Sequence, residues 1–217
     1  MKILKILIPV VVVGGLAVGG YLYYQADQEQ KAAAEMKAKE QLAMEQKIQA
    51  EAEAEQKRLT CTDSTDYYVI SRDRDGGVGE DILVKTKIEG FVANCKYEVA
   101  DGDFEVKNSD PEYFKTIQGN LVITDIGTGP SGRGFRVYDI TKKEKAFGQN
   151  YFGEINIGSS TVSYLAKANI KADAKNCKDY KTFMKDFGNA VIVTGLTLDL
   201  ETLKTKDDKK TSCLAVQ

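Results

Sequence analysis

The chain has no histidine among its 217 residues. That removes imidazole as a general acid or base, the Ser-His and Cys-His nucleophile pairs, and His-ligated zinc. An excess of positive charge is missing too. Thirty Lys and Arg stand against 32 Asp and Glu, a net charge of −2, so there is no basic footprint for nucleic acid. The four cysteines, Cys61, Cys95, Cys177 and Cys213, lie too far apart for the closely spaced pairs of a four-thiolate zinc site. From Gln25 to Leu59 there is no Gly, Pro, Val or aromatic residue.

What the sequence does have begins with an uncharged run from Ile6 to Tyr24, preceded by Lys2 and Lys5. As a helix it reaches about 28 Å, close to the roughly 30 Å hydrocarbon core of a bilayer. Tyr21, Tyr23 and Tyr24 end it as an interfacial aromatic belt would. The lysine bias predicts a single-pass anchor in a bacterial inner (cytoplasmic) membrane, residues 1–24, with the N-terminus cytoplasmic and the rest periplasmic or extracellular. A cleaved secretory signal is the competing reading, with Ala17-Val18-Gly19 as its cleavage site. Both readings export the remainder of the chain.

Residues 25–60 are Ala, Glu, Lys and Gln with a few Met, Leu and Ile, all good helix formers. They predict a solvated helical stalk of about 50 Å. Met44, Ile48 and Ala52 follow i+4 steps, but Glu51 and Glu55 interrupt any coiled-coil seam. A weak parallel homodimer through span and stalk is kept beside the plain stalk.

At Cys61 the composition changes to glycine, aromatic and β-branched residues. Residues 61–217 read as a disulfide-bonded domain of about ten short strands, an antiparallel sandwich or barrel. The expected strands are 67–71, 81–88, 95–100, 104–107, 113–117, 121–125, 135–140, 154–157, 161–168, 190–200 and 212–216. One short helix is expected over Asp179–Phe187. The fold class is therefore mainly β, preceded by a transmembrane helix and a long α-helical stalk. An even cysteine count on the exported side reads as two disulfides, for which three pairings are open. The expected pairing is Cys61–Cys95 with Cys177–Cys213, each closing a loop worth about 3–4 kcal/mol.

Gly127-Thr128-Gly129-Pro130-Ser131-Gly132 spells G-x-G-x-x-G. A dinucleotide site needs a helix after that string, and here a strand is expected. Asp125-Ile126-Gly127-Thr128 approaches the aspartic-protease turn but lacks its hydroxyl residue, and the similar string at Asn156 carries an amide. What remains is a binding loop formed by Asp125, Thr128, Ser131 and Arg133, with Arg133 as a cation at its tip. On this reading Asp125→Asn leaves folding intact, and Arg133→Ala shifts stability by no more than about 0.5 kcal/mol. Asp73, Asp75, Glu80 and Asp81 surround glycines and are candidates for a hard cation such as Ca²⁺. Their spacing is not that of an EF-hand, and the expectation is a solvated acidic hairpin without metal.

Tyr113-Phe114, Gly119-Asn120, Asp125 to Pro130, Arg133-Gly134, Val137-Tyr138-Asp139 and Leu198-Asp199-Leu200 resemble a family of uncharacterised bacterial exported proteins. That resemblance implies export and a β fold, with no activity or catalytic residues to transfer. Ser131-Gly132-Arg133 resembles the Ser-Gly loop of periplasmic lysozyme inhibitors. No cofactor is implied. The functional expectation is a membrane-anchored, non-catalytic binding or structural protein of the bacterial envelope, with an envelope protein or cell-wall partner. The alternatives are an inhibitor of a cell-wall hydrolase acting through residues 127–134, and a carboxylate-dependent hydrolase, since Asp and Glu are the plentiful acid/base groups left.

Overall fold

A computed structural model describes residues 4–107, 110–127, 129 and 132–216, with side chains from residue 27 onward. The chain divides into two compact units, Met1–Lys57 and Arg58–Gln217.

The first unit is one helix, α1 (Leu4–Lys57). Good helix formers and ion pairs one turn apart, Lys31–Asp27 and Lys47–Glu51, account for its described part. Met36, Leu42, Met44 and Ile48 are exposed on it. One helix covers both the expected span and the expected stalk, running on through Tyr24 without a break. The run Ile6–Tyr24 lies outside the residues whose side chains are described. Among the described residues no helix is long and apolar enough to cross a membrane, because what is described of α1 is charged and polar. The single-pass inner-membrane anchor and the membrane partner at residues 6–24 are therefore not carried further.

The second unit is mainly β, in two antiparallel sheets. Four strands form the first: β1 (Leu59–Asp63), β2 (Tyr67–Asp73), β3 (Glu80–Thr86) and β4 (Phe104–Val106). Seven form the second: β5 (Glu112–Gln118), β6 (Leu121–Ile126), β7 (Arg133–Asp139), β8 (Glu144–Ile157), β9 (Thr161–Lys167), β10 (Asn189–Asp199) and β11 (Thr205–Val216). A short helix, α2 (Tyr180–Asp186), lies between β9 and β10. In both sheets each strand neighbours the next in sequence, so the domain is two consecutive meanders.

The mainly β, antiparallel character is as expected, but not all of the strands are short. Strand β8 spans 14 residues because it serves two partners. Its first half pairs with β7 and its second half with β9. Such a strand turns a corner, and the halves of the seven-stranded sheet on either side close over one core. That core joins Leu121, Ile123, Phe135 and Val137 with Tyr151, Val162, Tyr164 and Leu198. On the opposite face of β6 and β7, Val122, Tyr138 and Ile140 pack against Val69, Ile82, Val84, Phe104 and Val106 of the four-stranded sheet.

The expected strand at 95–100 is absent. Alternation at Tyr97 and Val99 imitates a strand, but Cys95 is tied to Cys61, and Tyr97 sits under the Arg72 guanidinium while donating to Glu105. The disulfides join Cys61 to Cys95 and Cys177 to Cys213, with Cα atoms 5.9 and 5.4 Å apart, as expected. The second pins the segment before α2 to β11, over a small core of Ala172, Ala190 and Ile192.

Candidate functional site

Strand β6, Leu-Val-Ile-Thr-Asp-Ile, is buried from Leu121 to Asp125. Side chains of a strand alternate between faces, so Thr124 falls on the face toward the four-stranded sheet and Asp125 on the face of the larger core. Polar groups buried there need partners, and each finds a set.

On the first face the centre is Glu112, at the start of β5 and wholly buried. Its carboxylate accepts from the Thr124 hydroxyl, from Arg136 Nη1 at 3.0 Å and from the Tyr138 hydroxyl at 3.1 Å. Arg136 stands opposite Thr124 in the β6–β7 register and also pairs with Asp110. Burial and the hydrogen bond to Glu112 push the Tyr138 phenol up. Burial works against the charge on Arg136, but its partners raise its pKa.

On the second face Asp125 is 2% exposed. Its Oδ1 accepts from the Tyr151 hydroxyl at 2.9 Å and from Arg133 Nε at 3.3 Å. Its Oδ2 takes Arg133 Nη2, with Lys115 Nζ at 3.4 Å. Lys115 arrives there because β5 bulges between Phe114 and Thr116. Burial, then the bond to Asp125, pushes the Tyr151 phenol up to about 12. Burial opposes the charge on Arg133, yet Asp125 carries its pKa upward. Neither Tyr151 nor Arg133 exchanges a proton near neutral pH.

The β2–β3 hairpin completes the arrangement. Gly79 has φ +95°, and a Cβ there would stand 2.8 Å from the Glu112 nitrogen and 2.9 Å from Pro111 Cα. Glycine is what lets the hairpin approach β5 this closely. Next to it Glu80 accepts from the Phe114 N–H at 2.8 Å. Burial raises the Glu80 pKa, and that N–H offsets part of the rise. Glu80, Tyr113, Phe114, Lys115, Gly127 and Arg133 line a cleft of about 450 Å³. The Lys115 and Arg133 side chains are 41% and 33% exposed on it.

Of the expected loop residues, Asp125 and Arg133 meet, while Thr128 and Ser131 lie outside the described residues. Arg133 is not a free cation at a tip but an ion-pair partner, and the expectation that Asp125→Asn and Arg133→Ala are structurally quiet is revised accordingly. After Gly132 the chain re-enters a strand at Arg133, which leaves no helix to receive a pyrophosphate. The acidic hairpin residues disperse. Asp81 pairs with Arg72 and Arg74, Glu80 turns to Phe114, and Asp75 is exposed beside Arg58. Among the described residues no three His, Cys, Asp or Glu side chains are grouped to hold a metal ion. The sequence reading missed Glu112, Lys115, Arg136, Tyr138 and Tyr151. The signal for them was β6 itself, apolar on both faces except for a Thr and an Asp that burial obliges to find partners.

No family model, no curated protein and no solved structure matches the chain.

Proposed function

We propose that this protein is an exported binding module that contacts an acidic group of an envelope partner at the cleft bearing Lys115 and Arg133. The observation that carries the reading is one buried carboxylate, Asp125, fixing two partly exposed cations on a cleft rim. A pre-positioned guanidinium and ammonium bind a carboxylate or phosphate with little ordering cost. The two disulfides support export, since such bonds persist in oxidising compartments. A glycoside-type hydrolase would need two carboxylates that a substrate can reach. Glu112 and Asp125 are buried and saturated with donors, which favours holding a partner over turning over a substrate.

The test is affinity capture from envelope extracts with the full chain and with Lys115→Glu. Lys115 is 41% exposed, and Arg133 and Tyr151 still hold the Asp125 carboxylate without it, so the fold should persist. A partner retained by the natural chain and lost by Lys115→Glu is the expected result. Equal capture by both would move the contact away from this cleft.

A further inference from the structure

A different face carries charge that the domain does not use. From the last residue of β9 to the start of β10 six lysines, Lys167, Lys171, Lys175, Lys178, Lys181 and Lys185, stand against three aspartates, in a chain whose net charge is −2. All six lysines are exposed, and none has an ion-pair partner among the described residues. Asp173 is engaged on its own loop, its carboxylate accepting from the backbone N–H groups of Lys175 and Asn176. Asp179 and Asp186 lie well away from Lys181, Met184 and Lys185 around α2, at about 100° of helix per residue.

The same segment exposes large apolar side chains. Ile170 is 50% exposed, Met184 39% and Phe187 44%. Lys167, Ile170, Lys171, Tyr180, Met184 and Val191 line one open cleft of about 470 Å³. The face is rigidly held: Cys177 is bonded to Cys213, and Tyr180 and Phe183 pack on Ala172, Ala190 and Ile192. Unpaired lysines interleaved with exposed apolar side chains on a fixed surface are the pattern of a membrane-surface contact.

We propose that residues 167–187 dock on the surface of an anionic phospholipid bilayer. The lysine ammoniums meet headgroup phosphates, while Ile170 and Met184 enter the boundary beneath them. Charge complementarity selects an anionic occupant. The apolar residues select a lipid surface over a soluble polyanion, which would engage the lysines and leave those side chains in water. This contact is independent of the Lys115–Arg133 cleft.

The chain has no tryptophan, so Met184→Trp in the full-length protein gives one local fluorophore. A local probe is required because α1 has its own sequence-derived apolar run. The expected result is a blue shift on adding phosphatidylglycerol–phosphatidylcholine vesicles, reversed by salt as surface charges are screened. Adding Lys181→Glu and Lys185→Glu should raise the lipid needed for half the shift at least tenfold. Ile170→Trp, on the same cleft as Met184, is the second reporter should the first disturb α2. No shift in either reporter overturns the proposal. An equal shift with phosphatidylcholine alone, or with soluble polyphosphate, overturns it as well, the latter in favour of an anionic polymer.

Discussion

Arg133 and Asp125 stand at the turn end of the β6–β7 hairpin, with Arg133 Nε 3.3 Å from Asp125 Oδ1 and its Nη2 on the other carboxylate oxygen. The two residues share the face that carries the larger core, and the Tyr151 hydroxyl donates to the same carboxylate from β8. Three strands thus converge on one buried charge, with Lys115 of β5 as a fourth contributor. The hairpin end is a fixed platform, and the glycine-rich turn is carried on it.

That geometry predicts asymmetric costs. Removing the acid leaves two cations that are partly exposed and can turn to water. Removing Arg133 leaves a buried carboxylate with only Lys115 and Tyr151. Arg133→Ala should cost about 2–3 kcal/mol and Asp125→Asn about 1 kcal/mol, both above the roughly 0.5 kcal/mol of an ordinary surface site. Urea unfolding with intact disulfides measures both, and a double-mutant cycle isolates their coupling. Additive effects, with each single change near zero, would show that the pair contributes nothing.

Much of the β architecture was legible because its signals are local. Strands β2, β3, β6, β7, β9 and β10 carry apolar or alternating patterns, and glycine or asparagine turns separate several of them. In a meander each strand pairs with its sequence neighbour, so local pattern and topology agree. The disulfide pairing follows from the same locality, each bridge closing a nearby loop. Where pattern and structure part, a tertiary contact decides. Leu59 and Thr60 read as the end of a stalk and residues 61–63 carry no strand pattern, yet Leu59–Asp63 pairs with β2. Glu144–Gly153 has no clean alternation because β8 changes partners and bends. The ion pairs of the site were hidden for another reason. Asp110, Glu112, Lys115 and Arg136 look like ordinary surface charges until the β5 bulge, the β6–β7 register and the approach of Gly79 gather them into ion pairs.

Tyr164 offers a test of the core. It is 4% exposed, its ring meets Phe135 edge-on at 4.9 Å, and its hydroxyl has no hydrogen-bond partner among the described residues. Burial accordingly raises its pKa. A buried hydroxyl without a partner costs on the order of 1–3 kcal/mol, while the ring contact survives its removal. Tyr164→Phe should leave stability unchanged or raise it by about 1 kcal/mol. A loss of that size in thermal or urea unfolding would mean that the hydroxyl is satisfied after all.

The last prediction concerns acid. Asp139 closes the β7–β8 turn: its Oδ1 accepts from the Thr141 hydroxyl at 2.6 Å, the Thr141 N–H at 2.9 Å, the Lys142 N–H at 3.2 Å and Asn120 Nδ2 at 3.1 Å. The Thr141 hydroxyl is the largest influence, and although burial opposes it, the carboxyl is held down to about 2 from 3.8. A carboxyl that is more acidic in the folded chain binds fewer protons there than in the unfolded one, so the folded state gains from its ionisation. The gain is complete above the unfolded value near 3.8 and is lost as the pH falls toward 2. Asp139→Asn keeps the shape but weakens the acceptor, and at neutral pH it should cost about 1–3 kcal/mol. The gap in Tm between the natural chain and Asp139→Asn should be constant from pH 7 to about pH 5 and close progressively below that. Thermal unfolding across pH 2–7 reads this directly. A gap that persists undiminished at pH 2 would show that the turn depends on the shape of the side chain and not on its charge.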